Sequence, residues 1–186
     1  RWCNKIPSLI IPKKVKDIGL YSFAFCYSLS SIKVDEDNPF FDSRNNCNAI
    51  IETATNTLVI SCQKTVIPNS INNLRDCAFF VCGNLVSITI PRSVTNIGYD
   101  NFNSCFNLNS IVVDSNNPVY DSRNNCNAII ETASNTLITG CKNTIIPDNI
   151  VKLGKGAFSG CWGLTGITIP NSVTEIGSAA FDGRKW

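Results

Sequence analysis

The chain contains no histidine and no methionine. Without histidine there is no Ser–His or Cys–His pair to activate a nucleophile, and the commonest general base is missing. No C-x-x-C spacing occurs either, which with the missing imidazoles argues against a zinc site. Neither a P-loop nor a G-x-G-x-x-G turn is present. Charge is scarce: 16% of residues are charged and the net charge is +2, so no strong field points to nucleic acid or an anionic membrane. The Lys13, Lys14 and Lys16 group reads as a solvated face. No apolar run is long enough to span a bilayer. These absences predict a protein that is not an enzyme and carries no cofactor.

What is present is a rhythm. Pro12, Pro68, Pro91, Pro147 and Pro170 stand 56, 23, 56 and 23 residues apart. The residues around them recur too, as in Cys82, Leu85, Ile88, Ile90, Pro91, Val94, Ile97, Phe102, Cys105. The unit is C-x-x-L-x-x-I-x-I-P-x-x-V-x-x-I-G-x-x-A-F-x-x-C, and a 23-residue period marks a stacked repeat. I-x-I has the period-two pattern of a short strand, which the proline ends. V-x-x-I offers a second extended piece. Gly19, Gly98, Gly154 and Gly177 follow it and suit a corner with positive φ. A-F-x-x-C is long enough for one α or 3₁₀ turn. No unit can bury its apolar positions alone, so stacking must supply the core. The expected fold is mainly β with short α/3₁₀ turns, one solenoid over residues 1–186. The chain starts within a unit, at Cys3, and Arg184 stands where the next cysteine is due. That predicts a piece of a longer array at the front and a cap at the back.

The 56-residue steps hold inserts at about 35–71 and 114–150, nearly identical and 79 residues apart. Duplication of a 79-residue block is the simplest explanation, and selection on the insert would leave the same pattern. Each insert reads as a loop and a β-hairpin, with strands over 47–52 and 57–62 joined by 53–56. Glu52 would then face Thr57, Ile51 Leu58, Ala49 Ile60 and Cys47 Cys62. One apolar face would lie on the solenoid.

Ten cysteines invite a disulfide framework. Cys3, Cys26, Cys82, Cys105 and Cys161 share one slot of the unit and read instead as small buried hydrophobes. Cys77 stands outside the period. The hairpin register makes Cys47–Cys62 and Cys126–Cys141 candidate cross-strand bridges, with buried free thiols as the alternative. The acidic loop Asp35, Asp37, Asn38 and Asp42 lacks EF-hand spacing and reads as solvated rather than as a calcium site. The remaining functional feature is the outward side of the stacked strands. Ser31, Lys33, Ser87, Thr89, Ser110, Val112, Gly166 and Thr168 line up there as a flat polar recognition face.

CGNLVSITIPRSVTNIGYDNFNSC (82–105) and CWGLTGITIPNSVTEIGSAAFDG (161–183) resemble the BspA-like leucine-rich repeats, a bacterial surface type with a 23-residue period. The NP(F/V)(F/Y)DSRNNCNAIIETA(T/S)NTL insert resembles that family's hairpin insertions. The resemblance covers essentially the whole chain. It implies a curved right-handed leucine-rich-repeat solenoid, secreted or displayed on the cell surface; the chain is expected to be monomeric. It implies adhesion through a protein ligand such as a host extracellular protein, and it carries over no catalytic or binding residue. A structural spacer and a glycan-binding module, the latter drawing on exposed Asn, Thr and Tyr120, are the other readings.

Overall fold

The computed structural model describes residues 5–183. These residues wind through seven coils. The first holds β1 (Ser8–Ile11); the second holds β2 (Ser31–Val34), β3 (Phe41–Asp42), β4 (Ile50–Glu52) and β5 (Thr57–Ile60). The third holds β6 (Asn73–Leu74), and the fourth β7 (Ser87–Ile90) and β8 (Asn96–Ile97). The fifth repeats the second with β9 (Ser110–Val113), β10 (Tyr120–Asp121), β11 (Ala128–Glu131) and β12 (Thr136–Gly140). The sixth and seventh hold β13 (Lys152–Leu153) and β14 (Glu175–Ile176). The expected β-solenoid is what forms.

The two extended pieces of the repeat stack into two columns. In the I-x-I column β1 pairs with β2 and β7 with β9, all parallel. In the V-x-x-I column β6 pairs with β8 and β13 with β14, also parallel. Inward residues at period two fill the core: Ile88, Ile90, Ile111 and Val113 are buried while Ser87 and Thr89 are exposed. The slot cysteines Cys82, Cys105 and Cys161 are free and buried or half-buried, as a small hydrophobe requires, and Cys26 is half-buried. Cys3 and Arg184 lie outside the described residues.

The inserts depart from the expected arrangement. Rather than lying on the solenoid, each hairpin is built into its V-x-x-I sheet, in the order β3-β4-β5-β6-β8 and β10-β11-β12-β13-β14. β3, β4 and β5 run antiparallel and β5 then joins β6 in parallel. A bulge also shifts the register. Ile51 faces Leu58 as expected, but Ile50 faces Ile60, so Val59 is the extra residue. The second copy makes the same step at Ile129/Ile130. Both sides of the hairpin are therefore buried. Cys47, Ala49, Ile51 and Leu58 join the central core cluster, whereas Ile50, Val59, Ile60 and Cys62 join the cluster of the first coils.

Two corner expectations are also corrected. A-F-x-x-C forms turns but no helix, because left-handed residues four apart interrupt each corner: Tyr21 and Phe25, Cys77 and Val81, Asp100 and Ser104, Gly156 and Gly160. The 3₁₀ segments found are Arg44–Asn46 and Arg123–Asn125, inside the inserts. The glycines after V-x-x-I take no positive φ, and at Gly98 and Gly177 they serve close approach instead. A Cβ on Gly98 would lie 2.5 Å from the Asp76 backbone nitrogen and 2.8 Å from its Cα.

The second and fifth coils cut their A-F-x-x-C corner short, at Ser61–Cys62 and Gly140–Cys141. The flanking corners close over the recess. Arg75 donates to Ile18 O at 2.8 Å and Asn84 to Tyr27 O at 2.9 Å, with Tyr21 edge-on to Phe80 at 5.0 Å. Over the second recess Phe106 stacks on Trp162 at 5.2 Å.

Candidate binding face

The outward face of the I-x-I column is built by counting back from the proline slot, which Asp35 and Asp114 occupy in the insert-bearing coils. Four residues before it stand small polar side chains, with Ser8 opposite Ser31 and Ser87 opposite Ser110. Two before it stands a lane of branched side chains and one lysine, with Ile10 opposite Lys33 and Thr89 opposite Val112. Val66 and Ile145 occupy the same slot of the third and sixth coils. Ile10 and Val66 are each 69% exposed, Val112 48% and Ile145 74%.

Six of the residues read from the sequence, Ser31, Lys33, Ser87, Thr89, Ser110 and Val112, sit on β2, β7 and β9. Gly166 and Thr168 fall in an extended piece with no ladder partner. The face is not uniformly polar, and Ile10, Val66 and Ile145 were missed. In the third and sixth coils the cysteine-to-proline distance is six residues (Cys62 to Pro68) rather than nine. Counting forward from cysteine loses the register there, whereas counting back from proline keeps it.

A loop of each insert serves as a rung in this column. Val34 N–H donates to Ser43 Oγ at 3.0 Å, Val66 N–H to Cys47 O at 3.0 Å and Thr65 Oγ1 to Asn48 O at 2.6 Å. Its tight path needs left-handed residues at Asn45, Asn46 and Asn48, and asparagine tolerates that conformation. On the other side of 64–67, between it and β7, the column opens into a groove of about 610 Å³ bordered by Val66, Pro68, Thr89 and Pro91. An equivalent groove of about 550 Å³ lies between 144–146 and Gly166–Thr168.

Neither hairpin bridge forms. Cys47, Cys62, Cys126 and Cys141 are all free, and the bulge sends Cys47 and Cys62 to different clusters. Their thiols donate to backbone oxygens instead, Cys62 to Asn48 O at 3.2 Å and Cys141 to Asn127 O at 3.4 Å. Burial pushes the Cys47 thiol up to about 11 and the Cys82 and Cys161 thiols up to about 12. These sulfurs are neutral and poor nucleophiles.

The acidic loop is likewise committed to structure. Asp42 accepts from Arg44 Nε at 2.8 Å and Nη2 at 2.5 Å, and from Thr53 Oγ1 at 2.9 Å. Burial pushes its carboxyl up, but those bonds outweigh it and the net shift is downward; Asp121 repeats the arrangement. Asn38 spends both amide protons on Pro12 O and Val15 O. Among the described residues, no group of three or more His, Cys, Asp or Glu side chains is placed to hold a metal ion, and no helix is long and apolar enough to cross a membrane.

A family model described as a BspA type leucine rich repeat region matches residues 1–119 and 130–185 in six copies. No curated protein sequence matches the chain. Among solved structures, a leucine rich cell surface protein from Faecalibacterium prausnitzii superposes with a TM-score of 0.55 at 21% identity over 96% of this chain. A leucine-rich repeat protein from Eubacterium ventriosum gives 0.53 at 21% over 97%, and the pneumococcal vaccine antigen PcpA 0.54 at 16% over 96%. The chain spans 60% of the Eubacterium protein, 59% of the Faecalibacterium protein and 37% of PcpA. At these identities the likeness is one of fold.

Proposed function

Because this chain belongs to the BspA type leucine-rich repeat family, we propose that it is a non-catalytic binding module of a bacterial cell-surface or secreted protein. Its ligand is a protein docked on the outward lanes of the I-x-I column. One observation carries this reading: branched apolar side chains at Ile10, Val66, Val112 and Ile145 recur at one slot of successive coils, 48–74% exposed. A row of solvated apolar side chains bordered by small polar ones is the composition of an interaction surface. The neutral, buried thiols and the lack of histidine favour binding over chemistry. That one fold relative is named a cell surface protein and another a vaccine antigen supports display outside the cell. Glycan recognition loses its aromatic candidate, since Tyr120 is 6% exposed and its hydroxyl accepts the Ile97 amide.

The test is binding of the purified chain to an array of extracellular-matrix and mucosal proteins, alongside a variant carrying Val112→Asp and Thr89→Lys. The expected result is a ligand whose affinity falls at least ~10-fold in the variant at unchanged thermal midpoint, as for loss of one or two anchors. A chain that captures nothing on the array is a spacer, and the reading fails.

A further inference from the structure

Resting on the binding-module reading, we propose that the two grooves of the face each take an extended peptide segment of the protein ligand by β-strand addition, main chain to main chain. In a parallel ladder, alternate residues turn their N–H and C=O to opposite neighbours. Val86 O and Ile90 O accept from Asn109 and Asp114, so those residues serve β9. Ser87 and Thr89 therefore turn their main-chain groups the other way, toward 64–67. There Val66 N–H goes to Cys47 O, so Ile67 turns its own groups toward β7. Among the described residues, no backbone hydrogen bond joins 64–67 to 87–90, although the same coils are bonded in the neighbouring column through β6 and β8.

The sequence holds this edge open. The bonds that close β1 on β2 and β7 on β9 come from the amides of Asp35, to Ile11 O, and Asp114, to Ile90 O, both at 2.9 Å. In the fourth and seventh coils the same slot is Pro91 and Pro170, which have no amide proton to give. The second groove follows suit: Ile145 N–H goes to Cys126 O, leaving Ile146 and Thr168 facing one another.

Size and chemistry define the occupant. At a ~3.3 Å rise, ~4.8 Å strand spacing and ~10 Å depth, an extended residue fills roughly 160 Å³, so each groove matches about four residues. Val66 and Ile145 border the grooves and select branched apolar side chains at alternate positions. Each groove has one carboxylate in its lining, Asp114 in the first, which Lys64 also lines, and Asp148 in the second, and each carboxylate favours a basic residue beside it. The occupant is a short β-prone peptide stretch with a lysine or arginine flanking it.

The probe is a capped peptide of alternating threonine and valine with a lysine at each end, titrated by fluorescence anisotropy against the full chain. The expected outcome is saturable binding with slowed hydrogen exchange at the Thr89 and Ile67 amides. N-methylation of one alternate set of peptide amides should cost at least ~10-fold, and the other set little. Thr89→Pro with Thr168→Pro should cost as much, because proline is tolerated where the N–H side of a strand is unpaired. Lys155→Ala, at an exposed position outside the binding face, should leave peptide binding unchanged. Binding indifferent to N-methylation overturns strand addition, and so does a peptide that fails to bind. If a protein ligand is still captured through Val112, the face reading survives without the grooves; if nothing is captured, both fall.

Discussion

Asn38 offers the most demanding test of how the coils are joined. Its carboxamide is fully used: Nδ2 donates to Pro12 O at 2.9 Å and Val15 O at 3.0 Å, while Oδ1 accepts from Phe40 N and Phe41 N, each at 2.9 Å. The near-isosteric change Asn38→Asp keeps both accepted bonds and loses both donated ones. Two neutral bonds are worth about 2 kcal/mol together. A carboxylate oxygen then faces two carbonyl oxygens at a residue only 8% exposed, and an uncompensated charge in such a place adds further cost. The total expected is ~3–4 kcal/mol at neutral pH, a fall of about 6–15 °C in midpoint for a chain of this size. Asn117 makes the same four bonds, to Pro91, Val94, Val119 and Tyr120, so Asn117→Asp is an internal replicate. The sites share no partner and the costs should add. The introduced carboxyl has a folded pKa raised above its unfolded value, so its penalty is full at neutral pH and eases as pH falls below that raised value, where protonation restores a donor. Calorimetry and urea titration at pH 7 and pH 4.5 read all of this. A cost below ~1 kcal/mol at pH 7, or no relief at pH 4.5, would refute the reasoning.

Three further outcomes follow from the geometry. Gly98→Ala should cost ~1–3 kcal/mol because its Cβ meets the Asp76 backbone, whereas Gly19→Ala, with nothing nearer than 3.6 Å, should be within about 0.5 kcal/mol of wild type in urea unfolding. Cys47, Cys62, Cys77, Cys82, Cys105, Cys126, Cys141 and Cys161 should react slowly with a thiol reagent in the folded protein at pH 8 and fully once it is unfolded; a Cys47–Cys62 cross-link in non-reducing mass spectrometry contradicts this. The lowered Asp42 and Asp121 carboxyls contribute stability that is complete above their unfolded pKa and lost as pH falls through the folded one. The Asp42→Asn, Asp121→Asn variant should therefore lose less stability than wild type between pH 5 and pH 2 in a denaturant series, and parallel curves would contradict it.

Much of the fold was legible because one residue type per slot does one job. Phe79, Phe102 and Phe158 are buried where the period puts them, and Ile88 and Ile90 alternate with Ser87 and Thr89 as a half-buried strand must. Even the start of each insert obeys the period: Asp35, Asn38 and Phe41 stand 23 residues after Pro12, Val15 and Ile18. The match is hidden because Pro12 and Val15 are replaced by the polar Asp35 and Asn38. The bulge at Val59 was illegible for a different reason. Alternation cannot reveal a strand buried on both faces, so Ile50 and Val59 looked like the outer side of a ribbon. The hydrophobic part of the binding lane was hidden by a three-residue shortening that moved Val66 and Ile145 out of step with their cysteines.

The corners that close over the short coils have a consequence for how the array comes apart. A solenoid coupled only through adjacent coils can fray one turn at a time. Here Arg75 and Asn84 of the third coil hold Ile18 and Tyr27 of the first, and Trp162 of the sixth lies on Phe106 of the fourth. Each insert-bearing coil is bracketed by partners that grip one another past it, so it cannot be released alone. Under a pulling force the chain should yield in a few large steps, each freeing a bracketed group of coils, rather than in a ripple of single turns.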